Sequence, residues 1–295
     1  MIEFKQGNLL EEKAEALVNT VNCVGVMGKG IALQFKRAYP ENFREYEKAC
    51  KAKQVQPGKM FTFPTGNLFN PKYIINFPTK RHWKGKSKIE DVSQGLMALV
   101  AEVQHLEITS IAIPPLGCGN GGLDWNLVKP MIESAFAQLP NIRVIIYEPS
   151  GAPSAESMPV AIDLPNMTRA RALFISVLEA YGILGYELTK LEVQKLAYFL
   201  QQAGEPLKLK YTKHIYGPYA NNLNHVLKNI EGHYIRGYGD GTGKGEIHVL
   251  PEGRTAAQAF LETEAEAQER LQRVSNLIYG FETPYGMELL ATVHW

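Results

Sequence analysis

Cysteine is scarce in this 295-residue chain: Cys23, Cys50 and Cys118 stand apart, with no CxxC spacing among them. Three scattered thiols make no disulfide framework and no zinc site, so they point to a reducing compartment and to a protein without a bound metal. Long apolar runs are missing too, since no stretch approaches the ~18 uninterrupted apolar residues of a membrane span. The opening Met1-Ile2-Glu3-Phe4-Lys5-Gln6-Gly7 has neither a basic nor an apolar leader segment. Together these absences predict a cytoplasmic protein. An excess of one charge is also lacking: 31 basic residues against 30 acidic ones leave a net +1, which excludes a broad cationic field as the means of holding nucleic acid. Any such contact must be local. At 45% hydrophobic and 21% charged, the composition excludes disorder, collagen and coiled coil.

The length favours two domains. Residues 148–166 carry four prolines among small polar residues, which hold a chain extended and suppress helix. This places a linker at 151–167 between domains at 1–150 and 168–295. Residues 1–158 hold 18 basic and 15 acidic side chains and residues 159–295 hold 13 and 15, so neither half is polarised. Upstream, the apolar runs Ala16–Val21, Tyr73–Phe77, Ile111–Pro114 and Val144–Tyr147 alternate with helical patterns at Ile31–Arg37, Val92–Leu106 and Leu127–Leu139. Such alternation implies an α/β domain with a largely parallel sheet covered on both faces. Downstream, Arg169–Tyr181, Val193–Gln202 behind a Thr189/Glu192 capping box, Asn221–Ile230 and Ala256–Tyr279 read as helices, making the second domain mainly helical. The apolar Glu288–Trp295 stretch has no polar tail, and the natural protein is expected to continue beyond Trp295.

In an open α/β sheet, ligands bind beyond the carboxyl ends of the strands. Two glycine segments fall there: Asn22-Cys23-Val24-Gly25-Val26-Met27-Gly28-Lys29-Gly30-Ile31-Ala32 and Leu116-Gly117-Cys118-Gly119-Asn120-Gly121-Gly122-Leu123. Both stand between an apolar strand and a helix, where bare backbone N–H groups and a helix dipole favour anions. As a pair they suit a diphosphate clamped from two sides; singly, such glycines serve equally well to turn the chain. Neither has the P-loop order, and the second lacks the spacing and downstream acid of a dinucleotide site, which removes support for ATP hydrolysis and hydride transfer. Lys80, just past Phe77-Pro78-Thr79, lies on the same rim. A lysine shielded from water and close to other cations can act as nucleophile or base, although most lysines are solvated surface charges. The following Arg81, His82, Trp83, Lys84, Lys86 and Lys88 suit a phosphate backbone and a stacked base, or a solvated loop.

Gly7-Asn8-Leu9-Leu10, Val18-Asn19-Thr20-Val21-Asn22, Gly28-Lys29-Gly30-Ile31-Ala32 and Pro114-Pro115-Leu116-Gly117-Cys118-Gly119 occur in an order that resembles the macrodomain, the three-layer α/β/α module that binds ADP-ribose. Met27–Lys36 and the lysine of Phe77-Pro78-Thr79-Lys80 resemble, more narrowly, the branch that holds terminal ADP-ribose glycohydrolases and the DarG family of DNA ADP-ribosyl glycohydrolase antitoxins. The resemblance covers about the first 150 residues. Leu188–Phe199 with Tyr216-Gly217-Pro218-Tyr219 resembles the carboxy-terminal region of that family and the wider SocA-like antitoxin domains.

The resemblance implies an antitoxin that hydrolyses ADP-ribose from ADP-ribosylated bases of single-stranded DNA, releases ADP-ribose, needs no cofactor, and binds a DarT-type ADP-ribosyltransferase toxin through its second domain. It makes Lys80 the catalytic group. The ADP-ribose would lie among Asn8, Leu9, Thr20, Val21, Asn22, Gly28, Gly30, Ile31, Ala32, Leu33, Thr79, Gly117, Cys118, Gly119, Asn120 and Gly121. Asn8 and Leu9 are implied beside the adenine and Asn22 beside the distal ribose, although on sequence alone Asn22 reads as a turn former. Where the glycohydrolase relatives carry an assisting aspartate, a gapless alignment puts Gly121; Asp124 reads instead as a helix cap. The alternatives are a macrodomain that binds ADP-ribose without cleaving it, a hydrolase of protein-linked ADP-ribose and, for the helical half, a dimerisation or packing module.

Overall fold

The computed structural model describes residues 1–182, 188–242 and 245–295. Its contacts divide the chain into one unit of Met1–Pro153 with Ser157–Ile162 and a second of Ser154–Glu156 with Asp163–Trp295.

In the first unit, the strands β1 (Ile2–Lys5), β2 (Ala16–Asn22), β3 (Phe61–Pro64), β4 (Tyr73–Lys80), β5 (Ser110–Ile113) and β6 (Arg143–Tyr147) form one sheet. Their order is β1-β6-β5-β2-β4-β3, parallel throughout except for the edge strand β3, which runs antiparallel to β4. The helices are α1 (Gly30–Ala38), α2 (Pro40–Lys51), α3 (Ile89–His105) and α4 (Trp125–Ala137). Strand side chains alternate between faces, so Ala16, Val18, Ile75 and Phe77 pack with Val92, Leu96, Leu99, Val128 and Ile132 of α3 and α4. Leu17 and Ile74 point the other way and pack with Phe35 of α1, while Val21 packs with Tyr46 of α2. Because both faces are covered, the central strands are near-continuous apolar runs. The unit is the three-layer α/β/α fold that the alternating pattern implied. Helix α2 and strand β3 were not among the expected elements: α2 is mostly polar and starts at Pro40, directly after α1 ends. Helix α4 begins earlier than its apolar pattern because the Asp124 carboxylate accepts the Asn126 N–H at 2.9 Å.

The second unit contains α5 (Arg169–Gly182), α6 (Lys190–Gln202), β7 (Tyr211–His214), β8 (Gly217–Ala220), α7 (Leu223–Ile230), β9 (Ile235–Arg236), β10 (His248–Val249), α8 (Pro251–Leu261), α9 (Ala265–Ile278) and α10 (Pro284–His294). Helix α6 is buried from Glu192 to Leu200 and opens on the expected capping box, with the Thr189 N–H and hydroxyl both donating to Glu192. One expectation is corrected: the single helix over Ala256–Tyr279 is two. At the break over 262–264 the Leu261 carbonyl accepts both the Glu264 N–H at 3.0 Å and the Gln268 amide at 2.7 Å, so the end of α8 is closed by backbone and side chain together. The break also lets both Leu261 and Val274 reach the core. The Tyr216-Gly217-Pro218-Tyr219 motif, read only as part of a resemblance, is the turn and second strand of the β7/β8 hairpin. The buried Lys195 amine donates to the Tyr216 carbonyl and, at 2.9 Å, to that of Pro218. Gly217 has φ +77°, and a Cβ there would lie 2.5 Å from the Thr292 hydroxyl of α10, which explains why that position is glycine. Among the described residues no helix is long and apolar enough to cross a membrane.

Candidate active site

The carboxyl ends of β2 and β4 bring Asn22 and Lys80 to the place where the two glycine segments meet. Along most of their length these strands pair residue for residue, Val21 opposite Pro78, but the next pair is Asn22 and Lys80. Thr79 is the extra residue of a bulge. Pro78 offers no N–H to the ladder, and Thr79 turns its hydroxyl back to the Val21 carbonyl at 3.5 Å. Bulges re-aim the side chain that follows them, and here that side chain is Lys80. Lys80 is therefore the last residue of β4, rather than lying beyond the strand.

The Lys80 amine donates to the backbone carbonyl of Asn120 in the second glycine segment. Partial burial disfavours its ammonium form and lowers its pKa from the ordinary lysine value. A lysine with a lowered pKa, held beside the second glycine segment, can present a free amine to an electrophile.

The first segment is organised from Asn22. Its carboxamide oxygen accepts the N–H groups of Val24 at 3.0 Å and Val26 at 3.3 Å, and its Nδ2 donates to the Val26 carbonyl. From below, the Tyr46 hydroxyl donates to the Asn22 backbone carbonyl at 2.5 Å. Asn22 thus builds the turn, the role its residue type suggests, and any contact with a ribose is additional. Past the turn, Lys29 precedes α1 and supplies no side-chain cap, so the free N–H groups at the start of α1, from Gly30 through Ile31 and Ala32, are left for an anion.

The second segment closes against the first. Gly30 has φ +61°, and a Cβ on it would stand 3.0 Å from the Asn120 amide nitrogen. Gly119 and Asn120 are exposed, whereas Gly117 and Gly121 are buried beneath them. A Cβ at Gly121 would fall 2.2 Å from both the Gly117 carbonyl oxygen and the Ser87 hydroxyl, so no aspartate can occupy this position with the present backbone. The Ser87 N–H donates to the Gly121 carbonyl at 3.0 Å. Cys118 is half-buried, its thiol pushed up to about 11 by that burial, which leaves it a poor nucleophile near neutral pH.

The remaining expected residues divide by exposure. Leu9, Val21, Leu33 and Thr79 are 4%, 3%, 5% and 4% exposed, so their side chains are packed inward and only their backbone is left to meet a ligand. Leu9 belongs to the core under α1, because the 3-10 turn at Leu9–Glu11 folds it inward. Asn8 caps that turn, accepting the Leu10 N–H at 3.1 Å and donating to the Ser157 carbonyl at 2.7 Å. Thr20, Gly28, Ile31 and Ala32 are partly exposed. Tyr46, Ser87 and the Arg81–Asp91 pair were not anticipated as parts of this region. Arg81 grips the buried Asp91 with two nitrogens, at 3.0 and 3.3 Å, a link between strand end and helix start that no local pattern announces.

A Macro domain family model matches residues 18–132. A DNA ADP-ribosyl glycohydrolase of Thermus aquaticus is 52% identical over 295 residues, which is all of this chain and 82% of the relative. A DNA ADP-ribosyl transferase-DNA ADP-ribosyl glycohydrolase fusion protein of Thermosipho africanus is 34% identical over 163 residues, spanning 50% of this chain and 42% of the fusion. Among solved structures, the macrodomain of Mycobacterium tuberculosis DarG is 59% identical with a TM-score of 0.51, covering 51% of this chain and 99% of that one. This chain belongs to the DNA ADP-ribosyl glycohydrolase family, a hydrolase whose first unit is a macrodomain.

Proposed function

We propose that the protein removes ADP-ribose from bases of single-stranded DNA in the cytoplasm and thereby reverses a DarT-type toxin. The observation that carries this reading is the bulge-directed Lys80, its amine tethered to the second glycine segment across a cleft with free amide groups at the start of α1. The diphosphate lies between the amides of Gly30–Ala32 and those of the exposed Gly119 and Asn120, with the adenosine toward Asn8. The distal ribose then meets Lys80 above Asn22. The lone pair of the neutral Lys80 amine forms a bond to the anomeric carbon as the glycosidic bond breaks, and the base departs with the bonding electrons. Water displaces the amine in turn and frees ADP-ribose. No carboxylate at Gly121 takes part.

The test mixes the protein with ADP-ribosylated single-stranded oligonucleotide and, separately, with ADP-ribosylated protein, and follows free ADP-ribose. Release from the oligonucleotide alone is expected. Binding without release would make the protein a reader of ADP-ribose, and release from protein alone would move the substrate class.

The second unit, in this reading, binds the toxin. That a transferase is the partner class is supported by the Thermosipho relative, whose name joins transferase and glycohydrolase in one chain; the second unit's own surface supports its part. On α10, Tyr285, Leu289 and Val293 recur every fourth residue, and all three are exposed, an apolar stripe of the kind that docks a partner. Gel filtration of the full chain with the toxin should give one joint peak, lost when Leu289 and Val293 are both changed to Glu; separate peaks for the unaltered chain would remove this partner.

A further inference from the structure

The segment between Lys80 and α3 is left unused by the chemistry above, yet it is built rather than slack. Arg81 anchors its start on the buried Asp91, and Ser87 anchors its end on the Gly121 carbonyl. Between them the Gly85 N–H donates to the His82 carbonyl at 3.0 Å, and the Lys84 N–H donates to His82 Nδ1 at 3.2 Å. The His82 and Trp83 rings are stacked, with centroids 5.5 Å apart and planes at 28°. Trp83 is 49% exposed and outside the buried core. The Lys84 amine stands 5.1 Å from its ring centre, and Arg81, Lys84, Lys86 and Lys88 bring four cations with no acidic residue between 80 and 89.

We propose that the 81–88 loop is a single-strand reading site, in which the base next to the ADP-ribosylated one stacks on Trp83 while Lys84 and Lys86 meet the adjoining phosphates. This rests on the glycohydrolase reading of Lys80 and adds to it the feature of DNA that the enzyme recognises. The chain has no broad positive field, so affinity for a polyanion must come from such a patch. A fixed aromatic ring set among cations accepts any base, because every base has a π face. The patch starts one residue past the reacting amine, so it can only serve nucleotides flanking the modified one. A protein substrate gains nothing from an exposed indole ringed by lysines unless it is acidic and aromatic as well.

The experiment compares kcat/KM on an ADP-ribosylated oligonucleotide with that on the ADP-ribosylated mononucleoside, for the unaltered enzyme, Trp83→Ala and Trp83→Phe. The expected loss for Trp83→Ala is about 5- to 100-fold on the oligonucleotide, with less than about a twofold change on the mononucleoside and most activity kept by Trp83→Phe. In Lys84→Ala and Lys86→Ala, the salt dependence of the oligonucleotide reaction should flatten by roughly one phosphate contact each. Equal losses on both substrates, or none on the oligonucleotide, would overturn the stacking site while leaving Lys80 chemistry standing. An unaltered enzyme that releases ADP-ribose from neither DNA substrate overturns the glycohydrolase reading itself, and this site with it.

Discussion

Asn22 and Lys80 face each other across β2 and β4 because Thr79 is an extra residue in β4. One residue shapes the loop that receives an anion and the other brings the amine to it, so loop and nucleophile are in register through a single backbone irregularity. Replacing Asn22 with Ala strips the acceptor from the Val24 and Val26 amides, which lie 3.0 and 3.3 Å away. Leaving such groups unpaired costs about 1–3 kcal/mol. Thermal unfolding of the first unit should show that loss, and calorimetry should show weakened ADP-ribose binding. Asn22→Asp keeps the acceptor while setting a carboxylate beside the diphosphate, so it should bind weakly with most stability retained.

Burial lowers the pKa of Lys80, and the amine reacts only when unprotonated. The rate of base release should therefore rise with pH and level off at an apparent pKa below the ordinary 10.4 of lysine. Sodium borohydride or cyanoborohydride added during turnover should trap ADP-ribose on Lys80 if the ring-opened sugar is captured, seen by peptide mass spectrometry. A rate that is flat with pH would take proton loss from Lys80 out of the rate-limiting step.

Gly121 tests whether the missing carboxylate can be restored. Its absent Cβ would collide with the Gly117 carbonyl at 2.2 Å, and contact that close forces the backbone to move. Both Gly121→Ala and Gly121→Asp should lower ADP-ribose affinity at least about tenfold, with base release falling in parallel, since each such substitution ranks with overpacking effects of 1–3 kcal/mol. Faster release in Gly121→Asp would show that the loop accommodates an assisting acid.

In the second unit, burial brings the Lys195 pKa down to about 8. Between about 8 and the unfolded value near 10.4 the unfolded chain binds the extra proton, so stability rises with pH through that window, and the gain is gone once pH has fallen to about 8. The stability difference between the unaltered protein and Lys195→Met, followed by denaturant unfolding, should change across this window and be flat below it. A constant difference would mean that Lys195 stays charged in place, held by the Tyr216 and Pro218 carbonyls.

Much of this was legible in the chain. The apolar runs at Ala16–Val21 and Tyr73–Phe77 declare buried parallel strands, and Thr189 with Glu192 declares a helix start, because these signals are local. The bulge at Thr79 was not legible, since pairing register depends on two strands 57 residues apart. Nor was the crowding at Gly121, where the obstructing atoms belong to Gly117 and Ser87. Leu9, Val21 and Leu33 stand inside the family motifs yet are buried: a motif marks positions without telling whether the side chain or the backbone faces outward. The split of 256–279 into α8 and α9 escaped notice because Glu262-Thr263-Glu264 carries neither glycine nor proline, and the break is fixed by tertiary packing.

The most direct measurement pairs two readouts on Lys80→Ala: ADP-ribose liberated from ADP-ribosylated single-stranded DNA, and the heat of titration with free ADP-ribose. Release should disappear while the affinity for ADP-ribose stays within a fewfold of the unaltered protein's. Release at the unaltered rate would contradict the account, because the only amine that β4 delivers to the cleft would then have no part in the reaction.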